Sequence, residues 1–351
     1  MDKTYLTAVS AKSLAQQIAF APAVFQATHC LLKFNILHEI NNKTIGLTRS
    51  EIEAKTHISA YGVGVLLEMG QTAGILFLTE KKRYKLTKVG ICLLMDPMTV
   101  ANFTFMRDVC YQGFFKLDDA IEKGTPEGLK VFGNWPTIYE GLSELPEQVK
   151  ESWFRFDHFY SDDSFDQALE IVFATKPKHL LDVGGNTGKW SMRCCAFDED
   201  VTVSILDLPG QLKMAQQNIV AANLAQRINL VPTNVLAPEL LFPKADAIWM
   251  SQFLDCFSSE QIVAILQHCA KNMDPQTNVF IMETFWDNQE YPAAAYSLTA
   301  TSLYFTAMAN GNSKMYGVNE FEALIEKAGL CIVQRHENIG ISHTILQCQL
   351  A

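Results

Sequence analysis

The run Leu180-Leu181-Asp182-Val183-Gly184-Gly185-Asn186-Thr187-Gly188 constrains the fold more than any other stretch of this 351-residue chain. It reads as a buried strand that ends in a glycine turn and opens a helix. Glycines at such a turn let backbone N–H groups approach a ligand with no Cβ in the way. A second run, Val203-Ser204-Ile205-Leu206-Asp207-Leu208-Pro209, sets a carboxylate at the end of the next apolar strand, 25 residues after Asp182. A carboxylate there accepts both ribose hydroxyls of an adenine nucleoside. A glycine turn alone says little. The two runs in this order and spacing predict an adenosine-type cofactor.

Length allows two domains, each with its own core. Hydrophobic residues make up 48% and charged residues 19%, a globular composition with no disordered tail. The apolar run 14–24 is short and broken by Gln16 and Gln17, too little for a spanning helix. With no leader-like opening, the expected location is cytoplasmic, with no membrane partner. Nine Cys in no metal-like spacing fit reduced, mostly buried thiols, so no metal is expected.

Residues 1–110 carry twelve Lys and Arg against eight Asp and Glu, within a chain of net charge −10. The pattern there is helical over 10–39 with a break near Pro22. A capping box follows at Thr48 and Glu51, then an apolar helix over 60–73 ended by Gly74, then a hairpin over 75–86 with the charged tip Glu80-Lys81-Lys82-Arg83. Helices followed by a hairpin in this order form a winged-helix pattern. The helix over 60–73 has no Lys or Arg and a single charge, Glu68, so it lacks the donors that read bases and phosphates. The expectation is a dimerisation and substrate-covering domain, not a nucleic-acid partner.

Residues 100–165 are rich in aromatics and read as a helical connector packed over the second domain, the aromatics serving either as core or as a wall for a flat apolar substrate. Beyond about residue 164, helix and strand alternate. Strands are expected at 179–183, 202–207, 228–232, 245–250 and 278–283, with a late pair near 331–335 and 344–349. Alternation of this kind predicts an α/β fold with a doubly wound, mainly parallel, Rossmann-like sheet behind the mostly helical winged-helix part. The expected domains are 1–105, 106–163 and 164–351.

The chain resembles the S-adenosylmethionine-dependent O-methyltransferases of the plant caffeate and bacterial polyketide type. The resemblance covers most of the chain. It is strongest at 182–188, at Asp207-Leu208-Pro209, at 242–248 and at 319–324. It implies a homodimer, S-adenosyl-L-methionine as cofactor, and a small-molecule substrate. Asp182, Gly184, Gly185 and Gly188 would shape the turn along the methionine end of the cofactor. Asp207 would hold the ribose and Leu208 would pack on adenine, with Asn234 and Val235 flanking the base and Ser251 where plant members carry a Lys. Asn186 replaces the middle glycine of the family's run, and Asn tolerates unusual backbone angles. Asn234 replaces an Asp, yet its amide oxygen still accepts.

The third departure bears on chemistry. Asp255 stands at the family's catalytic His. Of the acidic pair that orients that His, Glu283 matches one member and Met315 replaces the other. Tyr316 and Gly317 stand where Arg-Thr is common, while Asn310 and Lys314 fit the family pattern. His158 and Asn310 are candidates for the substrate side, His158 as a replacement base or as a packing residue. Moving a proton from a phenol to an imidazole of ordinary pKa is uphill by about 3.5 units, roughly 5 kcal/mol. With an ordinary Asp the gap is about 6 units, roughly 8 kcal/mol. Asp255 therefore acts as a base only if burial raises its pKa. It otherwise orients the acceptor, or has no direct role. The leading expectation is methyl transfer to a hydroxyl of a small aromatic molecule. The alternatives are N- or C-methylation, chemistry without methyl transfer, or a cofactor-sensing regulator.

Overall fold

The computed structural model describes residues 6–238, 240 and 242–351. It divides into two compact units, Met1–Arg107 and Asp108–Ala351.

The first unit contains α1 (Ala8–Ala19), α2 (Ala21–Lys33), α3 (Ile36–Asn41), α4 (Arg49–Glu53), α5 (Ala60–Thr72), β1 (Leu76–Leu78), β2 (Tyr84–Leu86), α6 (Lys88–Met95) and α7 (Pro97–Phe105). The helical pattern over 10–39 breaks twice, not once. Pro22 sits in the first turn of α2, where its missing N–H costs nothing, and Asn35 adopts φ 57° between α2 and α3. The capping box forms as read: Thr48 Oγ1 accepts from the Glu51 amide at 3.3 Å, and Glu51 Oε2 accepts from the Thr48 amide at 2.7 Å. β1 and β2 pair antiparallel, and Leu47 bridges to Tyr84. The wing's Arg83 is turned inward onto Glu51 at 2.9 Å. Leu31, Ile36, Leu37, Ile52, Val63 and Leu67 form the core of the unit. No residue of α1 is buried, and Val9 and Ile18 are 78% and 68% exposed.

In the second unit α8 (Leu117–Lys123), α9 (Ile138–Gly141), α10 (Glu147–Asp162) and α11 (Phe165–Phe173) precede the sheet. Then β3 (His179–Val183), α12 (Lys189–Phe197), β4 (Thr202–Asp207), α13 (Pro209–Ala221), β5 (Ile228–Pro232), β6 (Ala247–Ser251), α14 (Ser259–Lys271) and β7 (Asn278–Glu283) alternate. α15 (Pro292–Tyr304), α16 (Val318–Lys327), β8 (Leu330–Ile339) and β9 (His343–Leu350) complete the unit. The strand order is β5-β4-β3-β6-β7-β9-β8, parallel from β5 to β7 and antiparallel at β9 and β8. This is a Rossmann-like arrangement closed by an antiparallel final pair.

Apolar cores cover both faces, which is why β7 is buried along its whole length. On one face Trp190 stacks on Trp249 with centroids 4.2 Å apart. The order reverses beside β3, with β4 on one side and β6 on the other, so the C-terminal ends of β3 and β6 form the topological switch point at which open α/β sheets take their ligands. Among the described residues no single helix is long and apolar enough to cross a membrane.

Trp249→Ala removes one of the largest fully buried side chains. We expect a loss of about 3–5 kcal/mol in urea unfolding, and a change below about 1 kcal/mol would show that the stacked pair does not hold this face.

Candidate active site

β3 ends at Val183, and the next amide, Gly184 N–H, donates to the Leu206 carbonyl at 2.8 Å. Gly184 has φ +75°, and a Cβ on it would lie 2.2 Å from the Phe253 ring. No other residue fits there without moving that ring. Gly185 and Gly188 complete the turn with Asn186, which sits at φ 49° between them. Asp182 lies beneath the turn and accepts from Ser191 Oγ at 2.6 Å. Burial pushes its carboxyl up to about 7.

Asp207 ends β4. Its carboxylate accepts from the Asn186 amide at 2.8 Å and from the Leu208 amide at 2.7 Å, so the acid expected to hold a sugar also clamps the turn. Burial pushes its pKa up, and these two bonds oppose the shift. Leu208 is half-buried and is the N-cap residue of α13. After β5, Asn234 Oδ1 already accepts from the Leu236 amide at 2.9 Å, and Val235 is packed in the core with Leu240 and Phe242. Ser251 ends β6 with its hydroxyl buried and unpartnered.

Beyond β6 the chain turns sharply at Gln252, with φ 46°. Glu283, at the end of β7, accepts through Oε1 from the Phe253 amide at 3.1 Å and the Leu254 amide at 2.9 Å. It thus holds the backbone that carries Asp255. Its other oxygen is buried without a partner. Asp255 is 6% exposed and Glu283 1%. Burial raises both carboxyls, Asp255 to about 6 and Glu283 well above the ordinary range, where the charge on Asp255 raises it further. Two enclosed carboxyls that oppose each other's charge do not both ionise readily, so the pair titrates together. The Cys256 thiol points at Asp255 Oδ1 at 3.5 Å.

The two substrate-side candidates part company. Asn310 Nδ2 donates to the Cys256 carbonyl and, at 2.9 Å, to Ser313 Oγ, which fastens the Asp255 loop. The Tyr316 hydroxyl secures the same loop through the Phe257 carbonyl at 2.7 Å. His158 lies on α10 against Phe154, its ring centroid 5.7 Å away, and burial lowers its pKa. Its neighbour Asp157 is the one that meets the turn, accepting from Asn186 Nδ2 at 3.3 Å. Burial, then the charges of Asp255 and Asp162, push Asp157 up to about 7.

Sequence reading missed Asp157, and a signal for it existed. It stands four residues after Trp153 on the same helical face. Trp153 is buried and donates to the Tyr304 hydroxyl at 2.7 Å. Among the described residues no group of three or more His, Cys, Asp or Glu converges as a metal site.

An acid at the end of β4, a glycine turn beside it, and unpartnered polar atoms on Ser251 and Asn186 fit a polar nucleoside ligand in the crevice at the β3/β6 switch point. The family model described as O-methyltransferase domain matches residues 114–331, and the Dimerisation2-like domain matches residues 12–84. The chain belongs to the O-methyltransferase family. It is an S-adenosylmethionine-dependent methyltransferase.

Among its relatives, the L-tyrosine C(3)-methyltransferase of Streptomyces lavendulae is 25% identical over 317 residues, 89% of this chain and 85% of that one. The cephaeline 6'-O-methyltransferase of Carapichea ipecacuanha is 24% identical, covering 93% of this chain and 94% of its own length. In fold the chain is similar to the mitomycin 7-O-methyltransferase, with TM-score 0.73, 17% identity and 98% of each chain covered. It is also similar in fold to an O-methyltransferase from neocarzinostatin biosynthesis solved with S-adenosylmethionine and 2-hydroxy-5-methyl naphthoic acid. There the TM-score is 0.70 at 20% identity, with 94% of this chain and 96% of that one covered.

A buried carboxyl whose pKa is raised stays protonated in the folded state while the unfolded chain ionises. Its contribution is therefore full below about pH 4 and is lost as pH rises through about 7 for Asp182. Urea unfolding at about pH 5 and about pH 8 should show Asp182→Asn losing less stability on alkalinisation than the parent. Parallel losses would mean that Asp182 does not carry this proton.

Proposed function

We propose that this methyltransferase acts on a hydroxyl group of a small aromatic molecule, with Asp255 as the proton acceptor. The observation that carries this reading is the burial of Asp255 on a loop whose backbone amides are held by the equally buried Glu283. An ordinary Asp leaves a phenol proton about 6 units uphill. With Asp255 at about 6, the gap narrows to about 4 units, roughly 5 kcal/mol, close to that of an unperturbed imidazole. Burial thus compensates for the missing His.

S-adenosylmethionine supplies an activated methyl group on a sulfonium. Asp207 and the turn over 184–188 would hold the nucleoside, with Leu208 and Val235 beside the base. Glu283 fixes the loop so that Asp255 meets the acceptor at one position, and orientation of this kind is a large part of what an in-line displacement needs.

The relation to a tyrosine C(3)-methyltransferase supports a second reading, methylation of a ring carbon next to a phenol. Loss of the phenol proton activates that carbon as well, so the same base serves either outcome.

The direct test incubates the protein with methyl-labelled S-adenosylmethionine and a panel of phenols, and locates the label by mass spectrometry. Label on oxygen is expected; label on carbon or nitrogen, or none on any acceptor, overturns the leading reading. Asp255→Asn should lower kcat by about a hundredfold or more, with S-adenosylhomocysteine affinity unchanged in calorimetry. Turnover equal to the parent's would exclude Asp255 as the base.

The unburied apolar residues of α1, in a chain that matches the Dimerisation2-like domain, support a homodimer. Light scattering at micromolar concentration should give twice the chain mass, and a monomer mass would refute the homodimer.

A further inference from the structure

Asp157 has no part in the chemistry above, yet its position is unusual. Among the described residues its carboxyl has no ion-pair partner, while Asp255 and Asp162 both oppose its ionisation and Lys189 favours it. The single side-chain hydrogen bond it receives comes from Asn186, at 3.3 Å. Asn186 in turn is held in the left-handed region at φ 49°, inside the turn, with Oδ1 buried and lacking a donor. Two acceptors short of a donor are therefore linked by one hydrogen bond. A single group with several N–H donors and a positive charge would satisfy both, and an ammonium is such a group.

Three residues further on the charge is opposite. Lys189 opens the nine-residue α12, whose N-terminus has no side-chain cap, and pairs with the exposed Asp162 at 2.8 Å. A cation at the positive end of a helix dipole suits an anion. An acceptor pair and a cationic helix start on one turn complement the two charges of an α-amino acid.

We propose that Asp157 and the amide oxygen of Asn186 bind the ammonium group at the methionine end of S-adenosylmethionine, while Lys189 and the start of α12 face its carboxylate. This rests on the cofactor assignment made above. It makes Asp157 a binding residue for the cofactor's amino-acid end and gives Asn186 a purpose that glycine would not serve.

The test compares two ligands by calorimetry on the full chain: S-adenosylhomocysteine, and 5'-methylthioadenosine, which lacks the amino-acid portion. Asp157→Asn keeps the size of the side chain and an acceptor for Asn186 Nδ2. It should weaken S-adenosylhomocysteine about tenfold or more and leave 5'-methylthioadenosine within about twofold. Asn186→Gly, which the backbone angle tolerates, should weaken the first ligand selectively as well. Parent-like binding of S-adenosylhomocysteine by Asp157→Asn overturns the proposal, as does an equal loss for both ligands. Failure of the unsubstituted protein to bind either ligand would instead overturn the cofactor assignment itself.

Discussion

Everything near the crevice is arranged around carboxyl groups taken out of water without a cation to balance them. Asp157, Asp182, Asp255 and Glu283 carry raised pKa values, burial being the largest cause in each, and among the described residues none of them forms an ion pair. Each survives by taking hydrogen bonds or keeping a proton. Asp182 takes Ser191 Oγ–H, Glu283 takes two backbone amides, and Asp157 takes Asn186 Nδ2–H. The cost of burying such groups is several kcal/mol when they ionise. Any group that brings hydrogen-bond donors or positive charge to such carboxyls offsets that cost.

Much of the sheet was legible beforehand because a parallel strand buried on both faces is a continuous apolar run with a sharp end. β3, β4, β5 and β7 begin and end where the sequence pattern places them. β6 begins two residues later than its apolar pattern suggests. The side chain of Asp246 accepts from the amides of Lys178 at 2.8 Å and His179 at 2.9 Å, and so belongs to the loop. β8 extends through the polar residues 334–338, which no alternation announces, and bulges at Ile332/Gln334 and His336/Ile339 absorb the mismatch. The break at Asn35 was hidden for a similar reason, since a single left-handed residue leaves the helical period almost undisturbed.

The site was legible in its residue types and less so in its contacts. Glu283 and Asp255 do lie together, yet Glu283 bonds to the backbone of the loop and not to the Asp255 carboxyl. Asn310 sits in the same neighbourhood, but its Nδ2 donates to the Cys256 carbonyl and Ser313 Oγ. Asn234 bonds to its own turn. Motif position transmits which element a residue occupies, while the atom it bonds depends on local backbone geometry that spacing does not encode. Asp157 shows the converse. It belongs to no motif, and only the packing of α10 brings it to Asn186.

The ring of Phe253 rests where any side chain on Gly184 would have to go. Through this contact the turn after β3 and the loop carrying Asp255, some seventy positions later, press on one another. A larger residue at 184 would demand a smaller one at 253, so among descendants of this chain the two sites should drift in concert. Any shift of that turn would also be passed mechanically to the acid on the neighbouring loop.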